Sequence, residues 1–158
     1  AAQQIESELF PARAEGIIRE AGLDPARFEL ELTESGLMHN IDLALAHITR
    51  LQTSGFALAI DDFGTGYSSL TYLKRLPVDK IKIDISFVRD MLEDRNDHAI
   101  VHTIIGMGRT LELTTIAEGV ESEAQAEALR ALGCDEAQGY HFGRPVAAAD
   151  FARHWLQP

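Results

Sequence analysis

Asp61 and Asp62 stand side by side at the end of an apolar run, Phe56 to Ile60, and lead straight into Phe63-Gly64-Thr65-Gly66-Tyr67-Ser68-Ser69-Leu70. Adjacent carboxylates at the carboxyl end of a buried strand repel, and a divalent cation or a cationic side chain is what compensates such a pair. The glycines that follow let the chain turn sharply and leave room for a ligand. This pattern points to a metal site. Further charged groups sit on or beside apolar runs: Glu29 and Glu31, the alternating Lys80-Ile81-Lys82-Ile83-Asp84, and Glu118-Gly119-Val120-Glu121. The histidines His39, His47, His98, His102, His141 and His154 are scattered without a pair that converges on the carboxylates, so they read as surface or packing residues.

Strands and helices must carry these residues. Phe28 to Thr33 alternates as a strand, and Asn40 to Thr53 places Ile41, Leu43, Leu45, Ile48 and Leu51 close to a helical period. Phe56 to Ile60 is a second strand. Ser68 to Leu76 reads as a short helix stopped by Pro77, and Lys80 to Ile85 as a third strand with a charged face. His98 to Leu111 is helical, and Thr114 to Ala117 is a fourth strand. Ser122 to Leu132 is a helix with Ser122 as N-cap and Gly133 as C-terminal stop. A fifth strand around Asp135 to Phe142 and a helix over Ala148 to Leu156 complete the pattern.

Composition narrows the classes. With 158 residues and 46% hydrophobic content the chain can bury a sizeable core, and its length favours one domain. No run reaches the length of a membrane span and no secretory signal is evident, so the expectation is a cytoplasmic segment without membrane contact, whose parent protein could still be membrane-anchored. The single Cys134 makes no internal disulfide and has no zinc-site spacing. A net charge of −11 argues against wrapping duplex nucleic acid but not against a nucleotide ligand, because a metal can supply the positive field.

Repeated strand–helix units imply a parallel sheet, either open and doubly wound or a (β/α)8 barrel. Central strands of an open sheet are apolar on both faces, whereas a barrel turns polar residues inward at its carboxyl-terminal mouth. The charged positions therefore favour a TIM-like α/β barrel. A complete one takes roughly 250 residues, so this barrel is incomplete.

Glu31-Leu32-Thr33-Glu34-Ser35, Asp61 to Leu70, Lys82-Ile83-Asp84, Ala117 to Glu121 and Gln138-Gly139-Tyr140-His141-Phe142 together resemble, in order and spacing, the EAL-domain family of cyclic di-GMP phosphodiesterases. The resemblance covers nearly the whole chain and implies the carboxyl-terminal two-thirds of a TIM-like barrel over residues 1–158, with the first strands and a helix missing. It implies hydrolysis of cyclic di-GMP to linear pGpG with two Mg2+ or Mn2+ ions, in bacterial second-messenger signalling. By the same resemblance Glu31, Asp61, Asp62 and Glu118 would be metal ligands, all of them hard oxygen donors. Lys82 would contact the attacking water, with Gln138 near the water and metals and Glu121 outside the ligands. Glu34 would anchor the loop after Asp62, and Arg144 and Pro145 would lie near the ligand. Lys80 offers the same chemistry as Lys82, and only the family register selects between them. Asp84 fits a structural hydrogen-bonding role as well as a ligand role, and Tyr67, Tyr72 and Trp155 are expected to pack.

The family's first-strand Glu-Ala-Leu motif and its metal-binding Asn-x-Ser do not precede Glu31 in this sequence, Glu127-Ala128-Leu129 falling instead within the helix expected over Ser122 to Leu132, and Ala1 stands about where that serine would be. A fragment of an active phosphodiesterase is one reading. The alternative is a degenerate, non-catalytic module that serves as a cyclic di-GMP receptor or protein-interaction domain. The resemblance also implies a homodimer, and fusion to or regulation by sensory or GGDEF-type domains. The Asp-Phe-Gly triplet does not indicate a protein kinase, since no glycine-rich loop or His-Arg-Asp segment accompanies it. The Gly-Thr-Gly stretch lacks the lysine of a Walker loop.

Overall fold

The structure, a computed structural model, describes residues 5, 7–38, 40–66 and 73–156. Five strands form one parallel sheet: β1 (Glu29–Thr33), β2 (Ala57–Phe63), β3 (Lys80–Ile83), β4 (Thr114–Ala117) and β5 (Glu136–Ala137). They pair in the order β1-β2-β3-β4-β5. A doubly wound sheet reverses its strand order at a switch point, whereas strands added in one direction build a barrel wall. The α/β expectation holds, and the order is that of an incomplete barrel.

Alternation along each strand separates two faces. Leu58 and Ile60 on β2 and Ile81 and Ile83 on β3 are at most 1% exposed. They pack with Ile48 and Leu51 of α3 (Ile41–Thr53), Val88 of α4 (Ile85–Asp90), Ile105 of α5 (Arg95–Thr110) and Leu129 of α6 (Glu123–Leu132). The opposite face of the same strands presents Glu29, Glu31, Asp61, Lys80 and Lys82. Two aspartates tie strand starts together. Asp79 Oδ2 accepts the Leu58 N–H at 2.9 Å, and Asp135 Oδ2 accepts the Thr115 N–H and hydroxyl at 2.8 Å each.

Several elements differ from the sequence expectation, each for a local reason. β2 runs on through Asp61, Asp62 and Phe63 instead of ending at Ile60, with a register shift against β3 between Ile60 and Phe63. β3 stops at Ile83 because the Asp84 carboxylate caps α4, accepting the Ser86 N–H at 2.8 Å. β5 spans two residues, since the chain turns after Gln138: His141 N–H reaches Val120 O, and Phe142 N–H reaches Gly139 O. A side chain at Gly139 would strike the Val120 backbone at 2.1 Å. Helix α1 (Phe10–Glu20), absent from the elements expected from the sequence, turns Phe10, Ala14 and Ile18 toward the core. A short α2 (Glu34–Met38) follows β1. Of the helix expected over Ser68 to Leu76, residues 68–72 lie outside the described residues, as do Tyr67 and His39.

Ser122 and Gly133 bound α6 as expected. Ser122 Oγ accepts the Gln125 N–H at 3.2 Å, Gln125 Oε1 accepts the Ser122 N–H at 3.0 Å, and Gly133 takes φ 83°. Helix α7 (Ala148–Trp155) exposes its apolar side chains, and Trp155, expected to pack, stacks on Phe151 while 64% exposed. No helix among the described residues is long and apolar enough to cross a membrane. Removing the α6 cap with Ser122→Ala is expected to lower stability by about 1 kcal/mol. A urea midpoint equal to that of the parent chain would contradict the cap's role.

Candidate functional site

Lys82 is 4% exposed, yet it carries a charge on the polar face of β3. Its Nζ lies 2.7 Å from Glu31 Oε1 on β1, 3.0 Å from Asp61 Oδ1 on β2 and 2.8 Å from Glu118 Oε1 just past β4. Burial alone would lower the pKa of this lysine. Hydrogen bonds to Glu118, Glu31 and Asp61 outweigh it and hold the proton well above the ordinary lysine range. Lys82 is therefore an ammonium at neutral pH, a donor and a fixed positive charge. Lys80, its chemical equal in the sequence, pairs instead with Glu29 and Glu136 at 3.1 Å each.

The carboxylates outnumber this one ammonium. Asp62 joins Asp61 on the same side although adjacent strand residues normally point to opposite faces. The β2 register shift and a left-handed backbone at Asp62, φ 53°, make this possible. Such a conformation is unfavourable for most side chains and tolerated best by glycine, asparagine and aspartate. One oxygen each from Asp61, Asp62 and Glu118 lies within 4.8 Å of the others. Asp61 Oδ1 is buried, and its partner is the Lys82 ammonium at 3.0 Å, which Glu31 and Glu118 share. Three carboxylates with hard oxygen donors at this spacing and a single ammonium beside them fit a divalent cation such as Mg2+ or Mn2+.

Neighbouring groups fix these carboxylates from outside. Gln138 Nε2 donates to Glu118 Oε1 at 2.6 Å, and the Glu118 N–H donates to Ile83 O at 3.2 Å. Glu34, 3% exposed, accepts the Gly64 N–H at 3.0 Å, so it grips the loop after Asp62 and not the carboxylate cluster. Its other oxygen faces Gly66, where an added Cβ would come within 2.6 Å. Glu121 is exposed, and the partner of its backbone N–H is the Gln125 side chain at 2.9 Å. Gln125 escaped the sequence reading; a glutamine three residues after an N-cap serine was the available signal. Asp84 caps α4 and is not among the three clustered carboxylates.

An open groove of about 980 Å³ leads away from Glu118. Glu121, Gln138, Tyr140, Arg144 and Pro145 line it, and the Arg144 guanidinium sits 4.3 Å from the centre of the Tyr140 ring. Among the histidines, His47 bonds Ile5 O, His141 pairs with Glu123 and His154 bonds Asp150 O, all away from the carboxylate cluster.

Burial raises the pKa of the Asp62 carboxyl, the charges of Asp61 and Asp84 add to this, and Lys82 opposes it. With the folded value above the unfolded one, ionised Asp62 costs stability at neutral pH, and stability returns as pH falls through the raised value. Asp62→Asn keeps the left-handed preference and removes the repulsion. In chelator at pH 7 it is expected to unfold at higher urea than the parent chain, by about 1 kcal/mol, the energy of two unit charges near 4 Å in water-like surroundings. The difference should shrink on acidification. A lower midpoint at pH 7 would contradict the repulsion.

The EAL domain family model matches residues 1–145. The Pseudomonas aeruginosa protein named bifunctional diguanylate cyclase/cyclic di-GMP phosphodiesterase MucR is 50% identical over 126 residues, covering 80% of this chain and 18% of that protein. The chain thus spans about a fifth of that relative's length. Among solved structures, the PaMucR phosphodiesterase in a c-di-GMP complex superposes with a TM-score of 0.93 at 43% identity, covering 96% of this chain and 61% of that one. The Klebsiella pneumoniae BlrP1 manganese/cy-diGMP complex gives a TM-score of 0.80 at 34% identity, with 88% of this chain and 36% of that one covered. A family match over nearly its whole length and a shared sheet place the conclusion beyond the carboxylate pattern alone: this chain belongs to the EAL domain family.

Proposed function

We propose that this chain is the site-bearing part of a cyclic di-GMP phosphodiesterase that uses two Mg2+ or Mn2+ ions to open the cyclic dinucleotide to linear pGpG. The observation that carries this reading is the Lys82 ammonium held among Glu31, Asp61 and Glu118, beside the clustered oxygens of Asp61, Asp62 and Glu118, in a chain 43% identical to a solved relative in a c-di-GMP complex.

Glu31, Asp61, Asp62 and Glu118 would hold the metal. Bound there, a divalent metal would draw charge from the phosphoryl oxygens and acidify the attacking water. The remaining work falls to this chain's own groups. In hydrolysis the water oxygen forms a new bond to phosphorus as the ester bond to the ribose oxygen breaks; the water gives up a proton and the departing oxygen gains one. Lys82 is held as an ammonium by its three carboxylates. It orients the water as a donor and stabilises negative charge developing on the phosphate. Gln138 fixes the Glu118 carboxylate, and Glu121 adds negative charge at the rim. Glu34 sets the loop that follows Asp62. Arg144, braced on Tyr140, and Pro145 offer a surface for a guanine base or phosphate along the groove. A homodimer, and fusion to sensory or GGDEF-type domains, belong to the same reading.

Chromatography of the full protein that carries this chain, incubated with cyclic di-GMP and Mg2+ or Mn2+, tests it. Conversion to pGpG is expected, and Glu118→Gln should slow it by about 100-fold or more. Binding of cyclic di-GMP without turnover would replace the enzyme with a receptor.

A further inference from the structure

Beneath the proposed metal site lies a second layer of charge. Glu29, Lys80 and Glu136 precede Glu31, Lys82 and Gln138 by two residues each, on β1, β3 and at β5. A two-residue step returns a strand to the same face, so the lower trio lies one storey below the upper one. Side chains from alternate strands form the interior layers of (β/α)8 barrels, and β1, β3 and β5 alternate in this sheet. Lys80 Nζ lies 3.1 Å from Glu29 Oε2, and 3.3 and 3.1 Å from Glu136 Oε1 and Oε2.

These contacts join strands that are not neighbours. β3 is separated from β1 by β2 and from β5 by β4, so the lysine spans the concave face in both directions. β5 needs such a tie, because its pairing with β4 is limited to Ile116 with Glu136 and Ala117 with Ala137. Asp135 secures the start of β5 sideways to Thr115; among the described residues, Lys80 is the ion-pair partner that secures it across the sheet. Gln138, which orients Glu118, follows β5 directly. Partly exposed ion pairs of this kind add little to stability, so their effect falls on geometry.

We propose that Lys80, through Glu29 and Glu136, is a positioning residue that sets the spacing of β1, β3 and β5 and so holds Glu31, Lys82 and Gln138 within reach of Glu118. Its catalytic consequence rests on the phosphodiesterase reading, whereas its geometric content does not.

Nitrogen-15 spectra of the lysine ammonium groups, recorded in chelator, test the geometry in Lys80→Met, Glu136→Gln and Lys80→Arg, with thermal melts to show that each variant is folded. The Lys82 ammonium signal is expected to move in Lys80→Met and Glu136→Gln and to stay near its parental position in Lys80→Arg, which retains the charge. Mn2+ titration should show affinity weakened about tenfold in the first two variants, the scale seen when groups supporting metal ligands are removed. A Lys82 signal unmoved in folded Glu136→Gln and Lys80→Met overturns the proposal; if Lys80→Met does not fold, Glu136→Gln decides alone. Absence of turnover in the parent protein would defeat the phosphodiesterase reading, and the ammonium signals would still decide whether Lys80 positions the strands.

Discussion

The contact on which the structure turns is the buried ammonium of Lys82 among the carboxylates of Glu31, Asp61 and Glu118. Acids converging from three strands would force those strands apart without a compensating charge. Lys82 supplies it from the strand between them, with its stem enclosed by the barrel wall. The same arrangement keeps the lysine protonated, so its ammonium donates to all three carboxylates. One positive charge does not neutralise the cluster, and the upward-shifted Asp62 carboxyl, partly buried beside charged Asp61, is the local mark of that deficit.

The backbone concentrates its irregularity at the same place. Asp62 takes a left-handed conformation, β2 slips against β3, and the following loop is gripped by the buried Glu34. Such local strain persists where surrounding structure over-determines it, and it clusters at functional sites. Here it does something specific. It lets two consecutive aspartates present oxygens to one point, which a regular strand forbids. The regular parts of the fold, with Ile81 and Ile83 fully buried against the helices, hold this irregular part in register.

Much of this was legible in the residues. The period-two alternation of Lys80 to Ile83 named both faces of β3, and Ser122 with Gly133 bounded α6 correctly. The acids that converge at the site announced themselves by standing at strand ends. What the sequence could not convey was geometry created by distant contacts. Lys80 and Lys82 are chemically equivalent, and they part only because Lys82 meets Glu31, Asp61 and Glu118 while Lys80 meets Glu29 and Glu136 one storey lower. The brevity of β5 comes from its turn against Val120, which no local propensity encodes. The extension of β2 through Asp62 likewise depends on tertiary pairing that overrides the usual end of an apolar run.

The phosphodiesterase reading requires that the carboxylates around Lys82 form a divalent metal site. A crystal of the chain soaked in Mn2+, with anomalous scattering measured at the manganese edge, puts that requirement to the test. A peak is expected within coordination distance of Asp61, Asp62 and Glu118, lost in Asp61→Asn. No peak there at saturating Mn2+, with Lys82 still bonded to all three carboxylates, would contradict it.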